Sequence, residues 1–111
     1  MDCLFCKIAA GKIPVERVLE NEHALAFPDI NPQAPVHLLV IPKKHIASLA
    51  ECDDWDAIGQ THALAVKAAE AKGITSTGFR VAINTGKDAH QLVFHVHLHL
   101  LGGRPMGWPP G

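Results

Sequence analysis

The stretch Gln91-Leu92-Val93-Phe94-His95-Val96-His97-Leu98-His99-Leu100-Leu101-Gly102-Gly103 constrains this chain most, because histidine recurs there at every second residue with apolar residues between and after. A strand points alternate side chains to opposite faces. His95, His97 and His99 are therefore expected on one face, with Phe94, Val96, Leu98 and Leu100 packed on the other. A helix would scatter the same imidazoles around its axis. The β-branched and aromatic content favours the strand, and Gly102-Gly103 closes it. A lone histidine in such a strand usually does no more than satisfy a backbone carbonyl. Three on one face repel when protonated and cost desolvation when buried, so chemistry is the better reading. One ring can attack as a nucleophile, another can orient it, and a third can ligate a metal.

The 111 residues suit a single domain, 1–111, with a core of its own; 48% hydrophobic against 19% charged residues is a globular composition, not a disordered one. A net charge of −1 with histidine neutral leaves no electrostatic footprint for nucleic acid or for an anionic membrane. No apolar run is long enough to cross a bilayer, and Met1-Asp2-Cys3 does not begin a signal peptide. A cytoplasmic location is the resulting expectation. Three cysteines do not suit a disulfide framework, so in a reducing compartment the close pair Cys3-x-x-Cys6 reads first as a metal site or a redox pair. A thioredoxin-like site would want a strand before the pair, and nothing precedes Cys3. A structural zinc needs two more ligands, and His45 and one histidine of the triad are the available candidates. Two small buried side chains are the plain alternative.

Along the chain, Leu4 to Gly11 reads as a short helix closed by Gly11, and Ile13-Pro14 forces an extended backbone. Val15 to Glu20 and His23 to Phe27 are expected strands of a hairpin turning at Asn21-Glu22. Pro28 to Pro35 is a stiff, proline-rich loop. Val36 to Ile41 is the most apolar run, a central strand stopped by Pro42. Asp53-Asp54 caps a long helix from Trp55 to Lys72, with Trp55, Ile58, Ala65, Ala68 and Ala69 on its packed face and Gly73 as its stop. Phe79 to Asn84 alternates like a strand, and Thr85 to His90 is a loop leading into the histidine stretch. This order predicts an α+β fold with an antiparallel sheet. The tail 104–111, with three prolines and two glycines, is expected to be irregular, and Trp108 in it needs something to pack on.

Smaller polar features stay open at this level. Asp29 in the rigid segment Asp29-Ile30-Asn31-Pro32 could accept two ribose hydroxyls, or simply cap a turn. Asn84 at its strand end has the same ambiguity. Thr85-Gly86-Lys87 lacks the glycine spacing of a phosphate loop.

Taken together, His95-Val96-His97-Leu98-His99-Leu100-Leu101 resembles the histidine-triad motif, His-φ-His-φ-His-φ-φ with φ apolar. Gln91, Gly102-Gly103-Arg104 and Trp108-Pro109-Pro110-Gly111 are similar to the histidine triad (HIT) branch of nucleotide-binding proteins. Asp29-Ile30-Asn31-Pro32-Gln33-Ala34-Pro35, His37 and Val40-Ile41-Pro42-Lys43-Lys44-His45 fit the same branch in the same order, so the resemblance runs from Cys3 to Gly111.

That resemblance implies a HIT-like fold: a five-stranded antiparallel sheet with one long and one short helix, and a homodimer whose sheets join into a continuous ten-stranded one. It implies binding of purine nucleoside monophosphates. It further implies hydrolysis of adenosine 5′-phosphoramidates or aminoacyl adenylates through a covalent nucleotidyl-histidine. By position, His97 would be the nucleophile, His99 would contact the phosphate and aid the leaving group, and His37 would help orient His97. Asp29 would hold the ribose; Phe5, Phe27, Ile30 and Leu39 would line the base pocket. Asn84, Gln91 and the backbone around Leu92 and Val93 would contact the phosphate. No catalytic metal is implied. One structural zinc per chain would be held by Cys3, Cys6, His45 and His95. A nucleotide-binding regulatory module with little turnover and a dinucleoside polyphosphate hydrolase are the alternatives. Two residues depart from the pattern: relatives often have Ser or Thr where Leu92 stands, and Gly is common where His90 stands. Losing a side-chain hydrogen bond to a charged oxygen costs about 1.5–3 kcal/mol, so a different turnover or leaving-group preference is expected.

Overall fold

The computed structural model describes residues 2–111. Its strands are β1 (Leu19–Glu20), β2 (Ala24–Pro28), β3 (Val36–Pro42), β4 (Phe79–Ile83) and β5 (Leu98–Gly102), and its helices are α1 (Leu4–Ala9) and α2 (Trp55–Ala71). The strands form one antiparallel sheet in the order β1-β2-β3-β5-β4. The α+β architecture, the five strands and the pair of helices match the sequence-based expectation.

Strand alternation divides the interior in two. Ala24, Ala26, Leu38, Val40, Leu98 and Leu100 face α2, which buries Ile58, Leu64, Ala65, Ala68 and Ala69 against them. Full burial of a leucine such as Leu98 or Leu100 contributes roughly 1.5–3 kcal/mol. Leu25, Phe27, Leu39 and Ile41 face the other way and are covered by Phe5 and Ile8 of α1. Leu39 pairs with His99 and His37 with Leu101 across β3 and β5, so His37 and His99 emerge on the α1 side of the sheet.

Local chemistry fixes the helix ends. Cys3 is the N-cap of α1, its Sγ accepting the Cys6 N–H at 3.3 Å. Arg17 donates to the carbonyls of Ile8 and Ala9 at the other end of α1 and grips Glu20 through Nε and Nη2. With Lys43 on its second oxygen, Glu20 is pulled down to about 2, Arg17 being the larger cause. Asp54 caps α2 by accepting the Ala57 N–H at 3.1 Å. Gly73, at φ +71°, ends it: its N–H reaches the Glu70 carbonyl and that of Ile74 the Ala69 carbonyl, the paired bonds of a Schellman motif.

Four expectations are corrected. The histidine strand begins only at Leu98, so His95 and His97 lie before the ladder. The β3–β5 register runs from Val36↔Gly102 to Val40↔Leu98, and two steps further Pro42 has no N–H to offer. The chain instead sends the Val96 N–H to the Ile46 carbonyl at 2.7 Å. Phe94, expected on the packed face, is therefore 57% exposed. Trp55 is 59% exposed: as the first residue of α2 it lies off the stripe that Ile58, Thr61, Leu64, Ala65 and Ala68 bury. The strand expected over Val15–Glu20 shrinks to Leu19–Glu20, because Ile13 and Val15 pack beside α1. A 3₁₀ turn, Leu49–Glu51, intervenes before α2. The tail is irregular, as expected, and leaves Trp108 82% exposed.

Candidate active site

On the α1 side of the sheet a cleft of about 300 Å³ opens over the ends of β3, β4 and β5. Phe5, Leu39, Asp29 and Ile30 line it. So do His97, His99 and Asn84, with Leu92 and Val93. Nine of the residues assigned to the nucleotide thus share one cavity. Leu4 and His90 line it too; the first was missed, since nothing in a short apolar helix marks which of its residues faces a cleft. Phe27 stands behind Phe5, edge to face at 5.9 Å between ring centroids, and supports the pocket wall. His37 reaches the site through His99. Gln91 is buried. Its Oε1 accepts the Gly86 N–H and its Nε2 donates to the Ala47 and Val93 carbonyls, so its side chain braces the loop beside the cleft.

Hydrogen bonds assign the imidazole tautomers one after another. The Gln33 N–H donates to His37 Nδ1 at 2.9 Å, so the proton of neutral His37 sits on Nε2. That Nε2–H donates to His99 Nδ1 at 2.9 Å, with the Asp29 carboxylate 3.3 Å away. His99 then carries its own proton on Nε2. Burial first, and then His97 and His37, push His99 down to about 4, while Asp29 opposes them. His37 is lowered by burial against the same carboxylate. Both rings are neutral donors at neutral pH. His97 Nδ1 donates to the His95 carbonyl at 2.8 Å, so in the neutral tautomer Nε2 carries the lone pair. The edge of Phe5 holds this ring at 5.1 Å between centroids, and His99 lies 5.2 Å away. The set combines an imidazole nitrogen with no hydrogen-bond partner among the described residues, an N–H donor on the neighbouring ring, and a carboxylate 3.9 Å from that ring's Nδ1. Asp29 Oδ1 accepts the Asn31 N–H at 2.7 Å, the bond of the capped-turn reading of this residue.

Behind the cleft, Cys3, Cys6, His45 and His95 bring their donor atoms within 4.8 Å of one another. His95 Nδ1 lies 3.3 Å from Cys3 Sγ and 3.6 Å from Cys6 Sγ, and His45 Nδ1 lies 3.4 Å from Cys6 Sγ. Ordinary zinc bond lengths at tetrahedral angles put S···N at about 3.5 Å, so the spacing fits a closed metal site. The His95 Nε2–H donates to the Pro42 carbonyl at 2.8 Å, the outer bond that presents Nδ1 to a metal. Burial and the neighbouring Cys3 push the Cys6 thiol up, which a bound cation would reverse. The described residues therefore hold a Cys₂His₂ cluster able to take a metal ion. A larger hollow of about 480 Å³ lies between the end of α2 and Gly103–Pro105. Arg104 in it is already committed to the Gln33 and Pro105 carbonyls.

A family model described as HIT domain matches residues 10–106. An uncharacterised HIT-like protein of Synechococcus elongatus is 48% identical over 111 residues, covering 99% of this chain and 97% of that protein. Among solved structures, a HIT family hydrolase from Legionella pneumophila superimposes with a TM-score of 0.95 at 51% identity, covering 99% of this chain and all of the other. A histidine triad nucleotide-binding protein from Candida albicans superimposes with a TM-score of 0.83 at 35% identity, covering 97% and 83%. With its triad set beside the cleft and this likeness along nearly its whole length, the chain belongs to the HIT domain family.

Proposed function

We propose that this protein is a purine nucleotide-binding hydrolase that cleaves adenosine 5′-phosphoramidates or aminoacyl adenylates through a covalent nucleotidyl-His97 intermediate. The observation that carries the reading is the orientation of His97: its Nδ1–H is held by the His95 carbonyl, which leaves Nε2 free to attack phosphorus from the cleft wall. The base lies among Phe5, Ile30 and Leu39, and Asp29 takes the ribose hydroxyls. The His99 Nε2–H donates to a phosphoryl oxygen and stabilises charge growing there; His37 fixes His99 in that tautomer. Asn84 and the backbone near Leu92 and Val93 complete the phosphate contacts. His37 orients His97 through His99, which packs against it.

The Cys3, Cys6, His45 and His95 cluster holds one structural zinc, which supplies rigidity and takes no part in the chemistry. The protein works as a homodimer. Edge strand β4 and exposed Trp108 support that reading as surfaces for a second copy.

The test is His97→Ala assayed on an adenosine phosphoramidate. Loss of turnover with retained AMP binding is expected; full activity in the variant overturns the mechanism. One observation favours a second reading, a nucleotide-binding module with little turnover. Leu92 is 72% exposed at the cleft and has no hydroxyl for the phosphate. Tight AMP binding with negligible wild-type turnover would select it. A diadenosine polyphosphate in the same substrate panel separates the remaining alternative.

A further inference from the structure

His90 is the one non-glycine residue with positive φ among the described residues, at +66°. A bulky side chain there carries backbone strain that glycine would avoid. The surrounding loop does not relax it. The His90 N–H bonds the Lys87 carbonyl at 3.0 Å, the Gln91 N–H bonds the Gly86 carbonyl at 3.0 Å, and the Gln91 side chain ties the loop to Gly86, Ala47 and Val93. The held conformation puts His90 on the wall of the cleft that His97 and His99 also line. Its ring has no hydrogen-bond partner among the described residues. Strain maintained by a braced loop at a reaction centre points to use of the side chain it carries.

Such a group has a place here, because Leu92 stands on the same wall where relatives often have Ser or Thr. An amine leaves phosphorus only with a proton. His97 offers a lone pair, and His99, held by His37, donates toward the phosphoryl group. Leu92 has no proton to give.

We propose that His90 is a fourth histidine of the site and the acid that protonates the leaving amine; this rests on the phosphoramidate reading above. His97 Nε2 forms a bond to phosphorus while the P–N bond to the amine breaks. The departing nitrogen keeps that electron pair and takes the proton from the His90 imidazolium. Water then attacks the nucleotidyl-histidine, the bond to His97 breaks, and the proton of the water passes to neutral His90. The sum is phosphoramidate plus water giving amine plus nucleotide, with both histidines restored.

The test compares wild type, His90→Gly and His97→Ala on two substrates: an adenosine 5′-phosphoramidate of an alkylamine, and the 4-nitrophenyl ester of AMP, whose phenolate leaves without a proton. Glycine suits the backbone at this position, so the variant is expected to fold with a Tm at or above that of wild type. It is expected to lose about 100-fold in kcat/KM on the phosphoramidate and little on the ester, with free imidazole restoring part of the first rate. Equal losses on both substrates, or no loss on the phosphoramidate, overturn the role of His90. A wild type that binds AMP but leaves the phosphoramidate intact overturns the hydrolase reading itself, and His90 with it, before any variant is compared.

Discussion

At the scale of single residues, protons matter more than positions. His99 is pushed down to about 4 in the fold, against about 6.5 for an unfolded imidazole. Between those values the unfolded chain holds more protons than the native one, so its stability rises with pH across that window. The contribution is complete above about 6.5 and lost as pH falls toward 4. Urea midpoints measured from pH 7 down to pH 4 should fall, and more steeply than in His99→Gln; identical slopes would refute this assignment. The spacing of the triad made the histidines visible, but not their tautomers. Those depend on the Gln33 N–H and on the His95 carbonyl, which no side-chain pattern encodes. Gln91 shows the converse: a polar residue beside a cleft reads as a ligand contact until its three hydrogen bonds to backbone are seen.

At the scale of elements, β5 runs close beneath the end of α2. A Cβ on Gly102 would lie 2.6 Å from Ile74 Cδ1 and within 3.2 Å of Ile74 Cβ and Cγ2, so rotating the Ile74 tip away does not relieve it. Gly102→Ala is expected to cost roughly 1–3 kcal/mol, read as a lowered urea midpoint; an unchanged midpoint would show that the Ile74 turn yields freely. Elements with strong local punctuation were legible. α2 starts one residue after its Asp54 signal and stops two residues before Gly73, and β3 ends on Pro42. The two misjudged strands are those whose limits depend on a partner. β1 begins only where pairing with β2 begins, and β5 begins only where β3 offers a ladder. Alternation cannot reveal where a neighbour gives out.

At the scale of the whole molecule, sheet edge and tail raise the question of assembly. β4 has β5 on one side only, and Trp108 rests against solvent in a single copy. Light scattering at micromolar concentration is expected to give the mass of two chains, and a monomer mass would dismiss the dimer. Metal analysis of protein purified without chelator is expected to find about one zinc per chain. Protein that folds normally without metal would dismiss the zinc.

Cys3 and His95 stand 92 residues apart in sequence and 3.3 Å apart in space. An ion bridging them turns most of the polypeptide into a ring, and a ring that size withholds much of the freedom an open chain would regain on unfolding. Six-residue α1, too short to persist in isolation, is the clasp of that ring. Chelation should therefore raise amide exchange first in Leu4–Ala9, which carries the pocket wall Phe5 provides, while α2 stays protected. Uniform exchange across both helices would mean that the clasp and the body open together.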